Sequence, residues 1–443
     1  MCGRSARPTS FGIGSETDPG IRLEGPVSGR PRPLDVDFVR GRFPALTGPF
    51  VYFDNGGGSQ ILQPVVDRLN EFLVRHNVQL GASYPVSVEA GQLLSEAQRA
   101  VATLINASDP DEVVMGSSTT ALLRMIASSV GRTLQAGDEL VVTTGDHEAN
   151  IGPWLELEAM GALVRWWRPN LETGALDPTD LERLLNERTR LVAMTHTSNI
   201  LGSINPVADV ADMVHGVGAL LCVDGVAFAP HRAVDVQTLG ADLYAFSFYK
   251  TFGPHHAVLW GRRDLLQELP GHGFVFVSDD DVPYKFQPGN VNYELSVSIL
   301  GILDYFGELD AGQEGAPQMG AEVPRSAVLS AFERIAAHEE ELVRPLLEVL
   351  SAREGVRIIG HDTADREARV SIVSFVSSGR SSREIVTEVD AHGIGIRHGS
   401  FYSSRLLDDL GIDSSDGVVR VSMVHYNTPA EVDRLITVLD PLI

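Results

Sequence analysis

Leu243-Tyr244-Ala245-Phe246-Ser247-Phe248-Tyr249-Lys250-Thr251-Phe252-Gly253-Pro254-His255 opens as an apolar strand and closes as a turn broken by glycine and proline. Lys250 therefore stands just past the strand's C-terminal end. In an open α/β sheet that edge is the crevice where ligands bind. The basic residues of the chain are 33 arginines and two lysines, Lys250 and Lys285. Arginine has been used wherever charge alone is needed. A retained lysine is then either a surface remnant or an amine kept for chemistry closed to guanidinium, such as Schiff-base formation.

Outward from this stretch, short apolar runs alternate with amphipathic ones from Val51 to about Arg263. Strands are predicted at Glu112–Met115, Glu139–Thr143, Leu163–Trp167, Leu191–His196, Ala219–Val223, Leu243–Phe246 and Ala257–Trp260. Helical periodicity falls between them at Val86–Ile105, Thr119–Val130, Thr179–Glu187 and Val207–His215. The alternation predicts an α/β fold, a mostly parallel sheet covered by helices on both faces. Beyond residue 264 the pattern changes to helices near Val291–Leu309 and Ser326–Arg353, with a glycine-rich break between them. Strands at Val356–Ile359, Val370–Val376, Gly393–Arg397 and Val418–Val424 follow, with a helix at Ser382–His392 and a last one opened by Thr428-Pro429-Ala430-Glu431, a capping-box pattern. The expected organisation is a disordered or loosely attached tail over residues 1–34, rich in Gly, Pro, Ser and Arg. A large domain then spans 35–310, and a smaller α+β domain spans 311–443.

A second apolar strand delivers Asp224 to the same edge as Lys250. A lysine and an aspartate presented together suit pyridoxal phosphate: the amine binds the aldehyde, and the carboxylate keeps the pyridine nitrogen protonated so that the ring accepts electrons. Gly116-Ser117-Ser118-Thr119-Thr120 runs from a strand into a helix, where N–H groups and hydroxyls can hold a phosphate, although Ser and Thr are also ordinary helix caps. His147 and Asn199 lie just beyond two further strands.

Composition narrows the partners. Acidic residues exceed basic ones by 24, a field that repels nucleic-acid backbones and anionic lipid surfaces. No stretch nears the roughly 18 apolar residues of a membrane span. Cys2 and Cys222 cannot form a disulfide framework, and the N-terminus lacks the apolar core of a signal peptide. The expectation is a soluble, cytoplasmic protein that binds neither nucleic acid nor membrane and needs no metal.

Asp54-Asn55-Gly56, Asp146-His147-Glu148-Ala149-Asn150, Thr197-Ser198-Asn199-Ile200-Leu201-Gly202, Val223-Asp224-Gly225, Ser247 through Pro254, and Arg420-Val421-Ser422 through Tyr426-Asn427-Thr428 form an ordered series. Over about residues 36–443 the chain resembles fold-type I, class V aminotransferase-like enzymes, above all the cysteine desulfurase and selenocysteine lyase branch. The resemblance implies that Lys250 carries pyridoxal 5'-phosphate, Asp224 pairs with its ring nitrogen and His147 stacks on the ring. It places Thr119, Thr120, Ser247 and Tyr249 on the phosphate, and Asn199 on the ring hydroxyl or the substrate carboxylate. Arg420 would bind the α-carboxylate of an amino-acid substrate, with Gly57, Phe401 and Tyr402 on the substrate side. It also implies a homodimer in which Asn290 completes the neighbour's phosphate site.

The departures are as informative. The segment Arg397-His398-Gly399-Ser400-Phe401-Tyr402-Ser403 aligns with the one where desulfurases keep a persulfide-forming cysteine, and it contains none. Tyr249 replaces the usual histidine before the lysine, and Asn290 the usual threonine. The resemblance without the thiol favours a C–S lyase performing β-elimination on a cysteine S-conjugate in specialised metabolism, as in antibiotic biosynthesis. Oxidative decarboxylation or deamination of such a conjugate, transamination and epimerisation remain alternatives. A non-enzymatic binding protein would not need Lys250, Asp224, His147 and Arg420 together.

Overall fold

Seven strands in the order β2-β8-β7-β6-β5-β3-β4 form the main sheet of the computed structural model, which describes residues 32–170, 173–311 and 322–443. The strands of the chain are β1 (Val51–Tyr52), β2 (Val113–Gly116), β3 (Glu139–Thr143), β4 (Leu163–Trp167), β5 (Thr189–Thr195), β6 (Leu220–Asp224), β7 (Leu243–Ser247), β8 (Ala257–Gly261), β9 (Val356–Ile359), β10 (Ile372–Ser377), β11 (Ile394–Gly395), β12 (Arg397–Gly399) and β13 (Val418–Ser422). β8 pairs antiparallel with both its neighbours and every other pairing in this sheet is parallel. The expected α/β sheet is present, with each of its seven predicted strands.

Burial on both faces explains why these strands read as continuous apolar runs. Val141, Val192, Val223 and Phe246 pack on one face against Ala97, Val101 and Leu104 of helix Pro85–Ile105 and Val210 and Val214 of helix Val207–Gly216. Their neighbours Leu140, Val142, Ala193, Cys222 and Ala245 point the other way, onto Leu123, Ile126 and Val130 of helix Thr119–Gly131. This is the period-2 alternation of a strand, with both faces apolar. β4, at one edge of the sheet, alternates exposed and half-buried positions over residues 163–166 and ends on the buried Trp167.

The second sheet is antiparallel, in the order β12-β13-β10-β9. It is covered by the helices Arg325–Ser351, Ser382–Ala391 and Pro429–Leu439, whose Leu342, Leu346, Ile385, Val389 and Leu435 meet Val373, Phe375, Val419 and Val421. The predicted capping box closes the start of the last helix: Glu431 N–H donates to Thr428 Oγ1 at 3.1 Å, and Thr428 N–H to Glu431 Oε2 at 3.0 Å. One connection between the two halves was not anticipated. β1 pairs in parallel with β11, and Ser422 N–H donates to Phe53 O at 2.7 Å. This draws residues 51–56 across the junction and brings Asp54 beside β13.

Three local expectations change. The strand expected at Gly393–Arg397 is split into β11 and β12, because the two pieces pair with different strands, β1 and β13. The helix expected over Val291–Leu309 is broken at Ile299 into Tyr293–Ser298 and Leu300–Ala311. The helix expected over Thr179–Glu187 stops at Glu182. Residues 1–31 of the expected tail, and nearly all of the glycine-rich break, lie outside the described residues.

Candidate active site

The parallel strands β2, β3, β5, β6 and β7 end on one edge, and each delivers chemistry there. Asp224 is the last residue of β6, in register with Thr195 of β5 and Ala245 of β7. Lys250 follows β7 on a tight 3-10 turn, Phe248–Lys250. Thr119 starts the helix after β2, capped by Ser118, whose Oγ accepts from Ala121 N–H at 3.1 Å. Thr119 Oγ1 and Ser247 Oγ lie 2.7 Å apart, so a hydroxyl pair stands at the positive end of that helix. Thr119, Thr120, His147, Asp224, Tyr249 and Lys250 share one cavity of about 510 Å³, also reached by Asn199 and Ser247.

A second cavity of about 800 Å³ adjoins it. It shares His147, Asn199, Tyr249 and Lys250 and adds Gly57, Arg397, Phe401, Tyr402 and Arg420. Thus the structure gathers every site residue expected from the sequence except Asn290. Asn290, with a left-handed backbone (φ 72°), lies on a different cavity with Met115 and His255.

The electrostatics suit an amine nucleophile. Lys250 is buried, and loss of solvent together with the charge of Arg420 lowers its pKa to about 8. Burial raises Asp224 to about 6, while its contact with Val226 N–H, 2.9 Å from Oδ1, and the charge of Lys250 favour the carboxylate. His147 is pushed down to about 4 by burial, then by Lys250 and Arg420, so it is neutral at pH 7. Its Nδ1 accepts from Ala149 N–H at 3.0 Å, which leaves the proton on Nε2.

Several supports had no assigned role in the sequence reading. Asp146 is buried and accepts from Thr143 Oγ1 (2.6 Å), Asn150 Nδ2 (2.6 Å) and Thr195 N–H (2.9 Å), tying the turn that carries His147 to β3 and β5. Asp54 accepts from Arg420 Nη2 at 2.9 Å, and its other oxygen lies 3.6 Å from Arg397. Both aspartates sit in quoted motifs, but only the fold reveals their partners. Arg420 is buried; its guanidinium lies 3.7 Å from the centroid of Phe401, and its Nε has no hydrogen-bond partner among the described residues. Asn199 lines both cavities, and its amide also ties down the loop that follows β12, donating to Phe401 O at 2.9 Å and accepting from Ser403 Oγ at 3.0 Å. Phe401 and Tyr402 both take left-handed backbone (φ 51° and 60°), at a cost of roughly 1–2 kcal/mol each.

Gly225, next to Asp224, allows a close approach: a Cβ there would overlap the Tyr244 ring. The Tyr244 hydroxyl in turn lies 2.9 Å from His196 Nδ1. Gly225→Ala should therefore cost about 1–3 kcal/mol of stability through overpacking and weaken cofactor retention by shifting Asp224. Thermal unfolding and dialysis of the loaded protein check both effects.

The aminotransferase class-V family profile matches residues 51–313 and 327–435. The chain belongs to this family, whose members depend on pyridoxal phosphate. It is 43% identical over 415 residues to an "Aminotransferase-like protein FGM3" of Gibberella zeae, covering 92% of this chain and 98% of that one. It is 34% identical to a "Cysteine desulfurase-like protein ustD" of Aspergillus flavus, covering 98% and 96%. It is also 34% identical to a "Nonribosomal peptide synthetase-like enzyme fsqF" of Aspergillus fumigatus, covering 91% of this chain but 26% of that protein. Among solved structures it is similar to a cysteine desulfurase of Escherichia coli, with a TM-score of 0.78, 26% identity, and coverage of 93% and 98%. A cysteine desulfurase of Thermococcus onnurineus gives a TM-score of 0.80, 27% identity and the same coverage. The fold is that of fold-type I pyridoxal-phosphate enzymes.

The residues present fit that cofactor. One edge of the sheet offers a desolvated amine for the aldehyde, a buried carboxylate for the ring nitrogen, and hydroxyls at a helix N-terminus for the phosphate. Thr197 Oγ1, buried and lining the same cavity, has no hydrogen-bond partner among the described residues.

Proposed function

We propose that this chain is a cytoplasmic pyridoxal-phosphate-dependent C–S lyase of specialised metabolism. It cleaves a cysteine S-conjugate by β-elimination: the conjugate plus water gives a thiol, pyruvate and ammonia. The observation that carries this reading is the loop after β12. Where a sulfur relay needs a mobile thiol, Phe401 and Tyr402 face the cavity. Cys222, the one cysteine among the described residues, is buried in β6, and burial and nearby carboxylates push its thiol well above its ordinary pKa. A group so placed does not store sulfur as a persulfide.

In this reading Lys250, Asp224, His147, Thr119, Thr120, Ser247 and Tyr249 hold the cofactor. When bound, pyridoxal phosphate withdraws electrons from the substrate's Cα and makes its proton removable. Arg420, whose Nε has no partner among the described residues, receives the substrate carboxylate beside Gly57. Lys250, with its pKa lowered to about 8, is matched to taking the Cα proton near neutral pH. Neutral His147 adds no charge that would hold the leaving thiolate, which departs toward Phe401 and Tyr402. Asn290 lies outside its own chain's Lys250 cavity, and Phe274, Val275 and Phe276 leave large apolar side chains exposed. Both features support a homodimer in which it serves the neighbouring phosphate site.

Holoenzyme given S-benzylcysteine should release benzyl mercaptan and pyruvate in equal amounts, and free cysteine should react more slowly. Cys222→Ala should keep thiol release while costing about 1 kcal/mol for the small cavity. If sulfur stays bonded to carbon while carbon dioxide is released and oxygen consumed, or if the amino group is merely transferred or inverted, the elimination reading fails.

A further inference from the structure

We propose that Asn199 is a positioning residue that sets which substrate side chains are accepted, by pinning Phe401 and Tyr402 as an aromatic wall of the substrate cavity. The inference rests on the reading above that substrate enters beside Arg420, and it gives the Asn199 amide a task on the loop. Both polar ends of the buried amide are used: Nδ2 donates to Phe401 O at 2.9 Å and Oδ1 accepts from Ser403 Oγ at 3.0 Å. A third tie comes from the His147 turn, where Glu148 N–H donates to Tyr402 O at 2.8 Å. These bonds hold two consecutive bulky residues in left-handed backbone, which such residues keep only when their surroundings over-determine it.

The held conformation has a visible product. The Phe401 ring lies against the Arg420 guanidinium, and the Tyr402 ring sits 5.2 Å from His147 with 73% of its surface exposed. Two rings presented this way favour an apolar or aromatic substituent on the substrate's side chain, and offer little to a small one. Without the Asn199 amide, the turn is free to relax to extended or right-handed backbone, and the wall disperses.

The test compares wild-type, Asn199→Ala and Ser403→Ala holoenzymes by hydrogen exchange and by the kcat/KM ratio for S-benzylcysteine over S-methylcysteine. In Asn199→Ala, amides 400–404 should exchange about tenfold faster or more, and the ratio should fall about fivefold or more, through KM. The visible cofactor band should not move. Ser403→Ala removes one of the two side-chain ties and should shift both readouts the same way by less; it also decides the matter if Asn199→Ala does not fold. A shifted cofactor band with unchanged exchange would confine Asn199 to the ring and overturn the proposal, as would faster exchange with an unchanged ratio. If neither conjugate is turned over, the elimination reading fails separately. Exchange and spectral titration of the two amino acids' affinities then still decide the role of Asn199.

Discussion

Lys250→Ala holoenzyme preparations should lose the visible absorption of lysine-bound pyridoxal phosphate and about three to four orders of magnitude of turnover, without losing the fold. The sign of the stability change separates chemistry from misfolding. The buried amine has its pKa lowered from 10.5 to about 8. Its desolvation cost is therefore fully present below about pH 8 and gone above 10.5. Removing it should stabilise the cofactor-free chain at pH 7 by up to about 3 kcal/mol, less whatever packing the lysine stem provides. The same shift makes the neutral amine about three-hundredfold more abundant at pH 7 than in an ordinary lysine. Cofactor capture by the cofactor-free chain should thus accelerate with pH and level off above about 8, as stopped-flow absorbance would show. Capture still rising tenfold per unit at pH 10, or a Lys250→Ala protein that keeps its colour and turnover, would sink the assignment.

Arg420→Lys should lower kcat/KM by about a hundredfold or more, through KM, while the cofactor band remains. The conservative change is informative because it keeps the charge. Arg420 helps hold both Lys250 and His147 below their ordinary pKa values, and a lysine preserves most of that field and the pair with Asp54. What it removes is the planar fork that can grip Asp54 and a substrate carboxylate at once. Arg420→Ala would confuse the result, since it removes the hydrogen-bonded partner of Asp54 and leaves that carboxylate only Arg397, 3.6 Å away. Unchanged kinetics in Arg420→Lys would make Arg420 a structural tie between β13 and the segment after β1.

These two residues show what could be read from sequence and what could not. Lys250 and Asp224 were legible because each ends an apolar run, and a parallel sheet buried on both faces writes its strands as such runs. The hydroxyls of Thr119 and Ser247 were legible for the same reason, as both stand at strand-end turns. The partner of Arg420 was not. Asp54 reaches it across 366 residues, through the pairing of two-residue β1 with β11, which is too short to leave a periodic signal. Asn199 was placed in the site by its strand end, but the direction of its amide depends on the left-handed turn at Phe401 and Tyr402, a conformation those residue types do not announce. The division of the expected strand into β11 and β12 likewise follows from which partner each half meets.

Both lysines are buried, Lys285 with its ammonium donating to Gln267 O at 2.9 Å. Outside the site cavity, the folded surface of the described residues therefore presents no lysine amine to acylating reagents or conjugating enzymes. Borohydride fixation of the holoenzyme should accordingly label one side chain, and a lysine-specific protease offers the readout. It would cut the denatured chain after residues 250 and 285, and a cofactor fixed at Lys250 would erase the first of these cuts, leaving two fragments where there had been three.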